Sequence, residues 1–162
     1  MKEISLTQGK VALVDDEDFK SLNQRKWHVC KPPRSKTMYA VAKKKLSRAN
    51  WKRLRMHRLI LNVPENMQVD HINGNGLDNR KNNLRVCTSI ENMRNMPLRK
   101  DTISGFKGVF WDSQSNKWQA QIYAKKRRFF LGRYLIKTDA ALAYNKAALK
   151  YHGEFARINQ IS

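Results

Sequence analysis

Val69-Asp70-His71-Ile72-Asn73-Gly74-Asn75-Gly76 opens the stretch that decides the fold, and Asn82-Asn83-Leu84-Arg85-Val86-Cys87 followed by Thr88-Ser89-Ile90-Glu91-Asn92 completes it. Twelve residues lead from His71 to Asn83 and nine more to Asn92. Residues 67–71 and 84–87 are short, partly alternating runs that can pair as an antiparallel hairpin around the Gly/Asn-rich loop. Thr88 and Glu91 have the spacing of a capping box, which starts a helix there and puts Asn92 just after its first turn. The stretch therefore predicts strand, loop, strand and helix. If the helix packs across the hairpin, Asp70 and Asn92 can face each other.

Two oxygen donors with no thiolate or second histidine beside them suit a hard octahedral cation that keeps several waters and takes phosphate as a further ligand. Magnesium or manganese is expected in preference to zinc. On an extended strand Asp70 and His71 point to opposite sides, so their roles must differ. A neutral imidazole can take a proton from water attacking phosphorus, while a metal held by Asp70 offsets charge on the leaving oxygen. Asn83 is expected to hold the loop and the His71 ring. The plain alternative is turn chemistry, for which Asx-Gly pairs are ordinary. Asn79, Asn82 and Asn95 fit loop or cap roles, with Asn95, three residues beyond Asn92, as reserve ligand.

The ordered set Val69 to Asn75, Asn79, Asn82-Asn83-Leu84-Arg85 and Glu91-Asn92 resembles the HNH (ββα-metal) endonucleases, especially the phage homing type whose last motif residue is Asn. His57-Arg58-Leu59-Ile60 matches the usual lead-in, so the resemblance covers residues 57–95. It implies His71 as general base, Asn83 as the orienting residue, Asp70 and Asn92 as ligands of one divalent metal ion, and double-stranded DNA as substrate. His57 is expected to pack or hydrogen-bond near the site.

Composition points the same way by a separate route. Lys and Arg number 33 against 13 Asp and Glu, a formal net charge of +20, which commonly marks a polyanion partner. A hydrophobic content of 41% is enough for folded cores. Cys30 and Cys87 are too few and too far apart for a zinc ribbon or a disulfide framework. With no signal peptide and no apolar run of about 18 residues, the expectation is a soluble protein of the bacterial or phage-infected cytoplasm, without membrane contact.

Residues 1–56 read as a basic, β-rich region with strands at 3–6, 10–14 and 38–42 and a short helix at 16–23. The acidic run at 15–18 is read as helix N-terminal charge complementing the macrodipole, in preference to a second metal site. Residues 34–58 hold ten Lys/Arg and no Asp/Glu, with Trp51 interleaved, and form a candidate phosphate-tracking surface that includes Arg58. The nuclease motif is assigned to 57–96 and a basic linker, with Arg99-Lys100, to 97–103.

From 104 to 162, three aromatic-rich strands precede a helix at about 138–153, with Ala141, Leu142, Tyr144, Asn145, Ala148 and Leu149 as its packing face. Gly108-Val109, Lys117-Trp118-Gln119-Ala120, Leu131-Gly132-Arg133-Tyr134 and Asp139 to Asn145 resemble the APETALA2-type DNA-binding domain of plant ethylene-response factors. That resemblance implies a sheet entering the major groove with the helix behind it. Period-2 alternation sends Trp118, Ala120 and Ile122 to the helix and leaves Gln119, Gln121 and Tyr123 for DNA, joined by Arg128 and Phe130. Lys107, Lys125 and Arg133 are expected to contact phosphates. Phe110 and Tyr123 stand where the plant domains use arginine.

These readings converge on an α+β, site-specific, homing-type DNA endonuclease with an attached sheet-type reader, acting as a monomer or weak dimer with no protein partner. A non-catalytic DNA-binding regulator on a decayed nuclease fold is the competing class. The intact Asp70, His71, Asn83 and Asn92 argue against it. An RNA-binding role is weakened because the chain carries no RNA-recognition motif.

Overall fold

Short apolar runs between turns build the N-terminal half as small sheets that share one core. The computed structural model describes residues 1–33, 35, 37–98 and 102–161. Arg34 and Lys36 of the basic segment, and Arg99-Lys100 of the expected linker, lie outside the described residues. The architecture is α+β, and the chain divides into two compact units, Met1–Asn92 and Met93–Ser162.

In the first unit, β1 (Lys2–Ser5) pairs antiparallel with β2 (Val11–Val14), and α1 (Asp16–Leu22) follows. β3 (His28–Cys30), β4 (Tyr39–Lys45) and β5 (Trp51–Arg55) form a three-stranded antiparallel sheet that leads into α2 (Met56–Leu61). β6 (Gln68–His71) and β7 (Leu84–Cys87) make the expected hairpin, and α3 (Ser89–Asn95) begins where the capping box places it. The Thr88 N–H donates to Glu91 Oε2 at 2.8 Å and the Glu91 N–H donates to Thr88 Oγ1 at 3.3 Å, satisfying two donors at the helix start.

The expected boundary at residue 56 has no counterpart. Ile4, Val14, Trp27 and Ala42 share one core with Met56, and Leu77 of the motif loop packs against it. Leu13 of β2 bridges to the same loop: its N–H donates to the Leu77 carbonyl at 2.9 Å, and the Asn79 N–H donates to the Leu13 carbonyl at 2.8 Å. The acidic run belongs to this anchoring as well. Asp15 occupies the cap position of α1 without a side-chain cap bond. It accepts instead from the Lys81 N–H at 2.7 Å, while Glu17 and Asp18 pair with the Lys81 ammonium.

In the second unit, β8 (Val109–Asp112), β9 (Lys117–Ala124) and β10 (Arg127–Tyr134) form an antiparallel sheet packed on α4 (Lys137–His152). The packing face of α4 is Ala140, Ala141, Tyr144, Ala147 and Ala148. Leu142 and Leu149, expected on that face, are more than half exposed. At about 100° per residue they fall on the side away from Tyr144 and Ala148. Gly108 has φ +76°, and a Cβ there would strike the Tyr144 ring, so a residue without a side chain lets helix and sheet approach.

Candidate active site

Register and burial bring the motif residues together in the first unit. β6 pairs Asp70 with Arg85 and His71 with Leu84. Asp70 is nearly fully buried, and its Oδ2 accepts from Arg85 Nε at 2.9 Å and Nη2 at 2.6 Å. The guanidinium thus compensates a carboxylate that would be costly to bury alone. Gln68, two residues before Asp70 and on the same strand face, accepts from Asn92 Nδ2 at 2.8 Å. That contact lays the first turn of α3 over the Asp70 face and turns the Asn92 amide. Asn95, the reserve ligand, falls in the second unit, where its carbonyl accepts from Arg157 at 3.2 Å.

Asn83 is hydrogen-bonded within the loop. Its Oδ1 accepts from the Asn73 N–H at 3.0 Å and its Nδ2 donates to the Asp78 carbonyl at 2.8 Å, tying both ends of the turn. Asp78, buried and held below the usual carboxylate range by the Arg80 guanidinium, also accepts from Asn73 Nδ2. The loop is a closed hydrogen-bonded unit.

The His71 ring, however, is met by Asn79. Asn79 is fully buried, and its Oδ1 lies 3.4 Å from His71 Nε2. The amide's orientation is fixed by its Nδ2, which donates to the Leu77 carbonyl at 3.1 Å. An oxygen aimed at Nε2 favours the tautomer with the proton on Nε2, which leaves the lone pair on Nδ1. Burial pulls the His71 pKa below the ordinary imidazole value, against the Asn79 hydrogen bond and the Asp70 and Asp78 charges. The ring is therefore neutral at neutral pH. His57 packs edge-on to it with centroids 5.0 Å apart, and Tyr39 flanks both rings.

Asn79 and Arg85 are the residues contacting His71 and Asp70 that sequence reasoning missed or left undecided. Arg85 could have been found from strand register alone, because it stands opposite Asp70. Asn79 had no such signal among several loop asparagines.

For a divalent ion, Asp70 and Asn92 offer oxygen donors of the right hardness on one face of the ββα unit. Among the described residues no group of three or more His, Cys, Asp or Glu side chains is placed to hold a metal ion. Cys30 and Cys87 are free thiols.

The expected DNA contacts divide. Arg58 is taken up internally, donating to the carbonyls of Val63, Pro64 and Met67. Lys107 is taken up in the second unit: its ammonium donates to the Arg94 and Met96 carbonyls at 2.5 and 3.0 Å, and burial, with the Arg157 charge, pushes its pKa down to about 8. The sheet residues fall as alternation requires. Tyr123 pairs with Arg128, Gln121 with Phe130, and Gln119 with both Arg133 and Phe110, so all seven share the face opposite α4. A bulge between Phe130 and Gly132 brings Arg133 onto that face, where it also pairs with Asp112. Lys125 sits at the β9–β10 turn with φ +48°.

The hairpin and crossing helix form a ββα unit that carries the ordered Asp-His, Asn and Asn residues. A family model described as HNH endonuclease matches residues 62–94. An uncharacterized HNH endonuclease, L560, from Acanthamoeba polyphaga mimivirus is 30% identical over 160 residues, covering 95% of this chain and 77% of the relative. Protein 3.8 of Escherichia phage T7 is 34% identical over 96 residues, covering 59% of this chain and 78% of the relative. No solved structure matches. The chain belongs to the HNH endonuclease family. Among the described residues no helix is long and apolar enough to cross a membrane.

Proposed function

We propose that this chain is a site-specific, homing-type endonuclease of double-stranded DNA from a phage or mobile element, using one magnesium or manganese ion. The observation that carries this reading is the Asn79-fixed His71 ring on the strand that also carries Asp70, with Asn92 over that face. Asp70 and Asn92 would hold the ion, which when bound supplies positive charge at the leaving oxygen. His71 Nδ1 accepts a proton as water attacks phosphorus in line. The phosphorus–O3′ bond breaks and the 3′ oxygen takes a proton from solvent, leaving a 5′-phosphate and a 3′-hydroxyl. Asn83 keeps the loop, and with it the histidine, from drifting as charge develops.

The outer face of the second unit's sheet is the proposed reader, an APETALA2-like element that presents Gln119, Gln121, Tyr123, Arg128 and Phe130 to the major groove. Its support is the pairing that puts these side chains on the face away from the helix. Lys125 and Arg133 add phosphate contacts, whereas Arg58 and Lys107 act as internal clamps. The chain works as a monomer or weak dimer.

Incubation of the full chain with plasmid and magnesium should give nicked or linear product. His71→Ala should slow cleavage by on the order of 10²- to 10⁴-fold while leaving binding near the parent value. Asn92→Ala should slow metal-dependent cleavage, and Gln121→Ala should relax base preference by about 1–3 kcal/mol. Full cleavage by His71→Ala sinks the assignment of the base.

A further inference from the structure

Several cations of this basic protein are matched to acids in the structure. Arg80 pairs with Asp78, Arg85 with Asp70, Lys81 with Glu17 and Arg133 with Asp112. The outer face of the β3–β4–β5 sheet breaks that pattern. Ala40 and Ala42 of β4 are buried toward the core, so Lys43, next in the alternation, points the other way. The register sets Lys43 directly opposite Arg53, and Arg55 follows on the same face opposite Val41. All three are exposed, and no carboxylate among the described residues pairs with them. A like-charged pair directly across a sheet destabilises it, so folding alone gives no reason for this arrangement.

The face also leads somewhere. Arg53 and Arg55 line a cleft of about 650 Å³ whose other wall includes His57, Gln68 and Asn92. His57 touches His71, and the Arg55 charge is felt at His57. Glu65 also borders the cleft, already paired with Lys52 at 3.3 Å.

We propose that Lys43, Arg53 and Arg55 form a phosphate track on the nuclease unit itself, holding the duplex DNA backbone beside the bond to be cut and guiding it into the cleft lined by His57 and Asn92. The proposal rests on the reading of the substrate as DNA, and it adds a sequence-independent grip separate from the reader sheet. Neutralising the three cations should therefore weaken binding to every duplex alike and leave base preference to the glutamine row.

The test uses the full chain in chelator, so that binding is read without cleavage. For Lys43→Gln/Arg53→Gln/Arg55→Gln, the slope of log affinity against log salt should become shallower by about three, roughly 0.9 for each phosphate that is no longer neutralised. Hydroxyl-radical protection beside the cut site should disappear. Lys43→Arg/Arg53→Lys/Arg55→Lys should keep the parent slope. The free triple-Gln protein should melt at or above the parent temperature because the like-charged pair is gone, which separates a missing grip from a missing fold. An unchanged slope with a folded triple-Gln protein overturns the track, even if the enzyme cuts. So does single-stranded RNA competing as well as duplex DNA. A chain that binds through this face and never cuts supports the track and sinks the nuclease reading.

Discussion

His57 should make this protein acid-sensitive in a calculable way. The ring is 4% exposed, its Nδ1 has no hydrogen-bond partner, and Tyr39 and His71 pack on it at 5.6 and 5.0 Å. Burial, helped by the charges of His71, Arg55 and Arg58, pushes its pKa down to about 3. In the unfolded chain the same ring titrates near 6.5, so between those values the unfolded state binds a proton that the native state refuses. The contribution to stability is full above about pH 6.5 and is lost at about 1.4 kcal/mol per pH unit as pH falls toward 3. At about pH 4.5 the loss from this ring alone is therefore about 3 kcal/mol, a large share of a typical domain's roughly 5–15. Carboxylates held low by their partners act mainly below this window, while His71 and His152 add in the same direction. Urea melts of the parent and His57→Phe at neutral pH and at about pH 4.5 isolate the contribution, since phenylalanine keeps an aromatic ring in the site but cannot be protonated. The variant should lose about 2–3 kcal/mol less stability on acidification than the parent. Equal losses would show that the native protein accommodates a charged His57, and the argument from burial would be wrong.

Asn79→Ala should lower cleavage on the order of 10- to 10²-fold, part of what a general base contributes, and move the acid limb of the pH–rate profile, because the tautomer of His71 is no longer set; Asn79→Gln and a circular dichroism melt separate this from unfolding. Arg85→Met should destabilise the metal-free protein by about 3 kcal/mol by removing the guanidinium that compensates the buried Asp70 carboxylate, and magnesium should raise the variant's melting temperature more than the parent's. Lys125 and Lys126 occupy the β9–β10 turn at φ +48° and +62°, where Asn-Gly is favoured. Lys125→Asn/Lys126→Gly should stabilise the full chain by about 1–2 kcal/mol yet make the salt slope of DNA binding shallower by about two; a stabilised variant with the parent slope removes these lysines from the interface.

The parts of the site that were legible in the sequence are those whose chemistry is local. The Thr88/Glu91 box marks the start of α3 by itself, and strict alternation in β9 separates Ala120 and Ile122 from Gln119 and Gln121 without any tertiary information. What stayed hidden depends on distant partners. Trp51–Arg55 reads as a charged run and becomes β5 only because β4 supplies its hydrogen bonds. α2 starts at Met56 with no side-chain cap, so nothing local announces it. Arg58 looks like a phosphate contact until the turn at residues 63–67 folds back to present three carbonyls to it. Which loop asparagine meets His71 is decided by β2, more than sixty residues earlier in the chain.

That last dependence explains why a motif matched over residues 62–94 is embedded in a larger unit. An isolated two-stranded hairpin and a helix as short as seven-residue α3 are each marginal in water. Catalysis requires more of them than survival, because the base must hold one tautomer and one direction to within a fraction of an ångström. The β1–β2 hairpin meets that demand by acting on the loop's backbone. Leu13 fixes Leu77 and Asn79, Asp15 fixes Lys81 at the start of the turn that carries Asn83, and the amide of Asn79 passes the constraint to His71. In the proposed mechanism the N-terminal region contributes to chemistry through hydrogen-bond geometry, and the same unit's outer sheet face carries the cations proposed to grip the substrate. Folding the scaffold and ordering the proposed base are, in this unit, one event.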